Sequence, residues 1–249
     1  MNLNEINQLA DTYLQELPKI PALPSWKEQP IASFFDQTLL KPEALPSEIE
    51  AMCQEAIPHK FAAICVNPLY LPLVSRILSG SGIATCGVVG FPLGATATKV
   101  KVAEVLYCLE SGATELDMVI PIGKLRAGDL SAVYDDILQV ADAVHGGNAI
   151  LKVILEMTYL NRREKILGCL LSKAANADFV KTSTGFGPSG ATLEDVDLMR
   201  RVVGPDIGVK AAGGIRSLAS ARAFLQAGAN RIGTSSGVKI IQEMQAESK

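Results

Sequence analysis

Histidine, tryptophan and clustered cysteine are scarce in this chain. Two histidines, His59 and His145, and one tryptophan occur in 249 residues. Both histidines fall where predicted helices end, and no ligand set surrounds either at metal-binding spacing. No metal site is expected, and none for any other cofactor. The five cysteines (Cys53, Cys65, Cys86, Cys108 and Cys169) are odd in number and irregularly spaced. That pattern fits reduced thiols in a cytoplasmic protein better than a disulfide framework. No apolar run approaches the roughly 18 residues of a membrane span. The opening "MNLNEINQLADTYLQEL" is polar and acidic, without the basic-then-apolar layout of a secretion signal. Net charge is −3 with no basic stripe, which argues against nucleic acid as the main partner. There is no long internal repeat and no low-complexity tract.

What is present is alternation. Strand-like runs read "FFDQT" (34–38), "AAICV" (62–66), "TCGVVG" (85–90), "ELDMVI" (115–120), "ILKVILE" (150–156), "FVKTST" (179–184), "GVKAA" (208–212) and "RIGTS" (231–235). Between and after them lie eight stretches with apolar residues at helical spacing, from "PSEIEAMCQEAI" to "GVKIIQEMQ". Eight strand–helix pairs in about 250 residues match a (β/α)8 TIM barrel. An open doubly wound sheet uses fewer strands, and its glycine-rich fingerprint is missing after the first one. Residues 1–30 read as a short extra N-terminal helix and a proline-rich linker, and residues 31–249 as the barrel.

In such a barrel, chemistry sits where the strands end. Strand side chains alternate faces with period two. Asp36, Asp117, Lys152, Lys181 and Lys210 can therefore all point inward, leaving Leu116, Met118, Val180 and Val209 for the outer face. Each charge alone could satisfy a partner in a polar interior layer. Five together would carry a large desolvation penalty without return unless they do chemistry. A lysine attacks carbonyls once a nearby cation or an apolar pocket lowers its pKa. Moving it from about 10.4 to about 7 costs on the order of 4 to 5 kcal/mol. Lys210 could supply that repulsion to Lys181, or the reverse. Asp117 could then shuttle protons.

The loops "AAGGIRS" (211–217) and "IGTSSG" (232–237) follow the seventh and eighth strands. Their glycines and hydroxyls lie where barrels of this kind hold phosphate. "TSTGFG" and "GFPLG" (90–94) are either turns or parts of the entrance.

The set "DQTLLKP", "CVNP", "GFPLGA", "ELDMVI", "LKVILE", "FVKTSTGF", "VKAAGGIR" and "GTSSG" resembles the deoxyribose-phosphate aldolase family from about Phe35 to Gly237. The resemblance implies reversible, metal-free cleavage of 2-deoxy-D-ribose 5-phosphate to D-glyceraldehyde 3-phosphate and acetaldehyde. It implies that Lys181 forms the Schiff base, Lys210 lowers its pKa and relays protons, and Asp117 exchanges protons. Lys152, Asp36 and Cys65 correspond to supporting groups. Phosphate is expected on Gly185, Gly213, Gly214, Arg216, Gly233, Ser235 and Ser236. Partners are then a small sugar phosphate and aldehydes, and a homo-oligomer is compatible.

Two departures stand out. Gln37 replaces a histidine found in many relatives, which the proposed chemistry does not need. The ending "MQAESK" lacks the terminal tyrosine of some relatives, so its assistance to proton transfer is expected to be missing. A transaldolase-like or thiazole-synthase-like barrel is the alternative enzyme, and a catalytically inert sugar-phosphate sensor is the alternative outside enzymes.

Overall fold

Short apolar runs bounded by turn residues form eight parallel strands in the computed structural model, which describes residues 1–247. They are β1 (Phe35–Leu39), β2 (Ala63–Val66), β3 (Ala84–Val89), β4 (Glu115–Val119), β5 (Ile150–Ile154), β6 (Phe179–Lys181), β7 (Gly208–Ala212) and β8 (Arg231–Thr234). The sheet closes in sequence order, and β8 pairs with β1. The expected (β/α)8 barrel is therefore the observed fold. The last two residues of "MQAESK" lie outside the described residues.

The helices are α1 (Leu3–Gln15), α2 (Pro46–His59), α3 (Leu71–Leu78), α4 (Thr98–Glu110), α5 (Ile122–Arg126), α6 (Leu130–Gly146), α7 (Arg162–Ala174), α8 (Leu193–Val203), α9 (Leu218–Gln226) and α10 (Gly237–Glu247). Helix α1 starts at a capping box, in which Asn2 and Glu5 satisfy each other's backbone N–H groups. It buries Ile6 and Ala10 and packs on α7, where Arg163 Nε donates to Asp11 Oδ1 at 2.8 Å.

Every residue of β2, β4 and β7 is buried, as expected for a parallel sheet covered on both faces. Outward residues such as Ile64, Leu116, Met118, Val153, Val180, Val209 and Ile232 join the apolar shell under the helices. A smaller apolar cluster of Leu40, Ala63, Cys65, Cys86 and Val88 packs separately.

Two differences from the sequence expectations concern the ends of strands. Strand β5 stops at Ile154 because Glu156 adopts a left-handed conformation (φ 53°) that turns the chain out of the sheet. Strand β6 stops at Lys181, which leaves Thr182, Ser183 and Thr184 in the loop. The five-residue helix α5 was not foreseen; it is too short for helical periodicity to show.

The N-terminal ends of β7 and β8 are tied by a buried arginine. Arg200 donates to the carbonyls of Gly228 (2.9 Å), Gly204 (2.7 Å) and Ile207 (2.7 Å), and to Asn230 Oδ1 (3.4 Å). Burial pushes its pKa down to about 10.

Candidate active site

Strand register decides which charges meet. Asp117 stands opposite Lys152 across β4 and β5, and Lys181 opposite Lys210 across β6 and β7. Both pairs point inward, and the three lysines converge on the Asp117 carboxylate. Lys152 Nζ donates to Asp117 Oδ1 at 2.8 Å. Lys181 and Lys210 each donate to Asp117 Oδ2 at 2.7 Å. Lys210 also pairs with Asp36 Oδ2 at 2.5 Å. Lys152 pairs with Glu115 at 2.7 Å and lies 3.7 Å from Asp36. Below them, Arg231 pairs with Asp36 (2.7 Å) and Glu115 (3.0 Å), and its guanidinium lies over the Phe179 ring. All five inward charges read from the sequence are thus in one network.

The electrostatics follow from these contacts. Burial alone would raise the Asp117 carboxyl, but three ammonium groups outweigh it and hold the pKa well below the usual carboxylate range. Asp36 is likewise held low, against burial, by Lys210, Arg231 and Lys152. Burial works against the charged forms of Lys152 and Lys210. The carboxylates around each overcome it and raise both pKa values. Only the repulsion between Lys181 and Lys210 was anticipated; the carboxylate that both amines share was not.

Cys65 and Cys86 face each other from β2 and β3, and Cys86 lies 3.3 Å from Asp117 Oδ1. Burial and the neighbouring carboxylate raise the Cys86 thiol well above its ordinary value. Ligand atoms of Cys65, Cys86 and Asp117 lie within 4.8 Å of one another, close enough for a metal ion. Both Asp117 oxygens already accept from ammonium groups, so a cation there would have to displace them.

A cavity of about 310 Å³ opens above the cluster. Lys181 lines it, together with Thr184, Gly185, Phe186, Gly213, Gly214, Arg216, Gly233 and Ser235. Lys152 and Lys210 are fully buried and do not line it. Gly213 and Gly214 have φ of 93° and 81°, conformations that favour glycine. Gly233 is needed for space: a Cβ there would stand 3.1 Å from Lys210 Cε and 2.9 Å from the Ala212 methyl. Arg216 is exposed at the rim and forms no ion pair among the described residues. Ser236 sits one residue beyond the lining, and its N–H donates to Thr234 Oγ1 at 2.9 Å.

Several residues were missed. Arg231 and Glu115 lie on the inward face by the same period-two rule that finds Asp117. Lys41, in "DQTLLKP", lines the cavity. Glu156 is buried and accepts from the N–H (3.1 Å) and the hydroxyl of Thr184, which fixes the loop after Lys181. Phe91 of "GFPLG" meets the lining residue Phe186 edge-on, with centroids 5.4 Å apart.

With this geometry in place, the chain can be set beside known proteins. Residues 31–243 match the profile of the DeoC/LacD family aldolases. A deoxyribose-phosphate aldolase of Caldanaerobacter subterraneus is 51% identical over 218 residues, covering 87% of this chain and 94% of the relative. A crystal structure from Coccidioides immitis superposes with a TM-score of 0.90 at 38% identity, over 98% of each chain. The tetrameric deoxyribose phosphate aldolase from Aeropyrum pernix superposes with a TM-score of 0.81 at 32% identity, covering 99% of this chain and all of that one. A buried lysine–aspartate cluster under a glycine-lined cavity, in a chain so alike over nearly its whole length, identifies it as a member of the DeoC/LacD aldolase family.

Proposed function

We propose that the protein reversibly cleaves 2-deoxy-D-ribose 5-phosphate to D-glyceraldehyde 3-phosphate and acetaldehyde through a Schiff base on Lys181. One observation carries the reading: of the three lysines on Asp117, Lys181 alone lines the cavity. Ion pairing supports the choice. Lys152 is held by three carboxylates and Lys210 by two, whereas Lys181 meets Asp117 alone.

The neutral Lys181 amine attacks the C1 carbonyl, and the resulting carbinolamine loses water to give the iminium. A proton leaves the C3 hydroxyl, the C2–C3 bond breaks, and its electron pair flows into the iminium to form an enamine. D-Glyceraldehyde 3-phosphate departs. Protonation at C2 and hydrolysis release acetaldehyde and restore the amine. Asp117 and Lys210 move these protons in this reading, which their 2.7 Å hydrogen bond beside Lys181 supports. The glycine loops, Ser235 and the cations Arg216 and Lys41 line the end of the cavity suited to the phosphate dianion. A homo-oligomer fits the tetrameric Aeropyrum pernix relative. A reducing, cytoplasmic setting fits five free, buried cysteines.

Borohydride reduction in the presence of deoxyribose 5-phosphate tests the reading. It should leave a stable adduct on the peptide bearing Lys181, and Lys181→Ala should lose nearly all activity while staying folded. A label on Lys152 or Lys210 would overturn the assignment.

A further inference from the structure

Gln37 has no part in the chemistry above, yet both ends of its side-chain amide are engaged. It lies in β1 between the inward Asp36 and Thr38 and is nearly buried. Its Oε1 accepts from the N–H of Gly237 at 2.9 Å, and its Nε2 donates to the carbonyl of Ser235 at 3.4 Å. These partners lie about 200 positions away in sequence, in the segment joining β8 to α10. Gly237 is the first residue of α10, so the bond satisfies one of the N–H groups that every helix start leaves unpaired. The contact also requires glycine at 237. A Cβ there would come within 2.6 Å of Gln37 Oε1 and 3.0 Å of the Phe61 ring.

The segment so held carries Ser235 into the cavity, and its next N–H, that of Ser236, is taken by Thr234. Its path is therefore set by two side chains. Thr234 acts from within the segment and Gln37 from outside it, anchored in a strand paired on both sides.

We infer that Gln37 is a positioning residue for the phosphate end of the cavity. It holds residues 235–237 in the shape that receives the dianion and so sets the preference for phosphorylated over unphosphorylated substrate. The inference rests on the proposed function, which puts phosphate at these loops. A purely structural role would lower stability and affect all substrates alike.

The test is steady-state kinetics on 2-deoxy-D-ribose 5-phosphate and 2-deoxy-D-ribose with Gln37→Leu, and with Gly214→Asp as a control on phosphate placement. Gln37→Leu should raise KM for the phosphorylated sugar about tenfold, the scale of one or two lost hydrogen bonds. Its kcat should stay within about twofold, and kcat/KM for deoxyribose should not change. Gln37→Glu keeps the acceptor for Gly237 but loses the donor to Ser235 and adds a negative charge, so its KM should rise further. Should Gln37→Leu fold poorly, Gly237→Ala disturbs the same contact while keeping the glutamine, and the same pattern is expected. Equal losses on both sugars would overturn the inference. So would an unchanged KM for the phosphorylated sugar in Gln37→Leu where Gly214→Asp raises it. If Gly214→Asp also spares the phosphorylated sugar, the phosphate placement itself fails, and this inference with it.

Discussion

Replacing Asp117 with asparagine keeps the shape of the side chain and removes the charge that three ammonium groups share. Lys152, Lys210 and Arg231 would then share only Asp36 and Glu115, and Lys181 would keep no carboxylate partner among the described residues. Removing one partner of a buried ion pair costs roughly 3 to 5 kcal/mol. Proton release sets a ceiling. A lysine can escape the penalty by deprotonating, which at pH 7 costs about 1.36 kcal/mol for each unit up to its ordinary value near 10.4, or about 4.6 kcal/mol. At pH 9 the same release costs only about 1.9 kcal/mol. The wild type offers no such relief. The depressed Asp117 contributes stability that is present above about pH 4 and lost only below it. The raised Lys152 and Lys210 contribute stability that is complete below about pH 10. The contributions of Asp117, Lys152 and Lys210 to wild-type stability are therefore flat between pH 7 and 9, and the deficit of Asp117→Asn should shrink over that interval by about 2 kcal/mol. Urea unfolding followed by far-ultraviolet circular dichroism at both pH values measures it, provided the slope m is unchanged. A deficit below about 1 kcal/mol at pH 7, or an equal deficit at both, would refute the shared-carboxylate account.

Two further outcomes follow from named contacts. Lys210→Leu leaves Asp117 Oδ2 to Lys181 alone, so the Lys181 ammonium becomes the better-paired partner. Borohydride trapping at neutral pH should fall about a hundredfold, or about 2.7 kcal/mol, and recover partly as pH rises; a pH profile that superimposes on the wild type would show that Lys210 does not tune its neighbour. Arg200→Met leaves the carbonyls of Gly204, Ile207 and Gly228 without their donor, at about 1 kcal/mol or more each. Thermal unfolding should show a loss of about 3 kcal/mol with the labelling of Lys181 unchanged, and lost labelling in the folded variant would mean that this end of the barrel bears on the chemistry.

The barrel was legible because its signals are local. Runs such as "ELDMVI" and "GVKAA" are short, apolar and separated by helical periodicity, and eight of them in about 250 residues, with no glycine-rich fingerprint after the first, favour a closed barrel over an open sheet. What the sequence hid was where a strand yields to its loop. Glu156 continues the apolar alternation of β5 on paper, but its left-handed backbone turns it toward Thr184 instead. Gln37 looked expendable for a related reason. Its partners are 198 and 200 residues away, and no local pattern announces a side chain that braces a distant loop.

The site was legible as a set of residues and illegible as a set of relations. Period two puts Lys152, Lys181 and Lys210 on the inward face alike, and nothing in the spacing ranks them. Closure of the barrel does. Lys152 faces Asp36, Glu115 and Asp117; Lys210 faces Asp36 and Asp117; Lys181 meets Asp117 alone. The order of carboxylate partners, three, two and one, is also the order in which the amines are committed to holding the cluster together. A Schiff base replaces an ammonium group with a bulkier imine, so it forms with least disruption where fewest ion pairs must break and where the cavity already reaches the nitrogen. Both conditions favour the proposed Lys181. The family resemblance selects the same residue from its motif, without reference to ion pairs. The two routes are independent, since the motif says nothing about which carboxylates lie across the barrel.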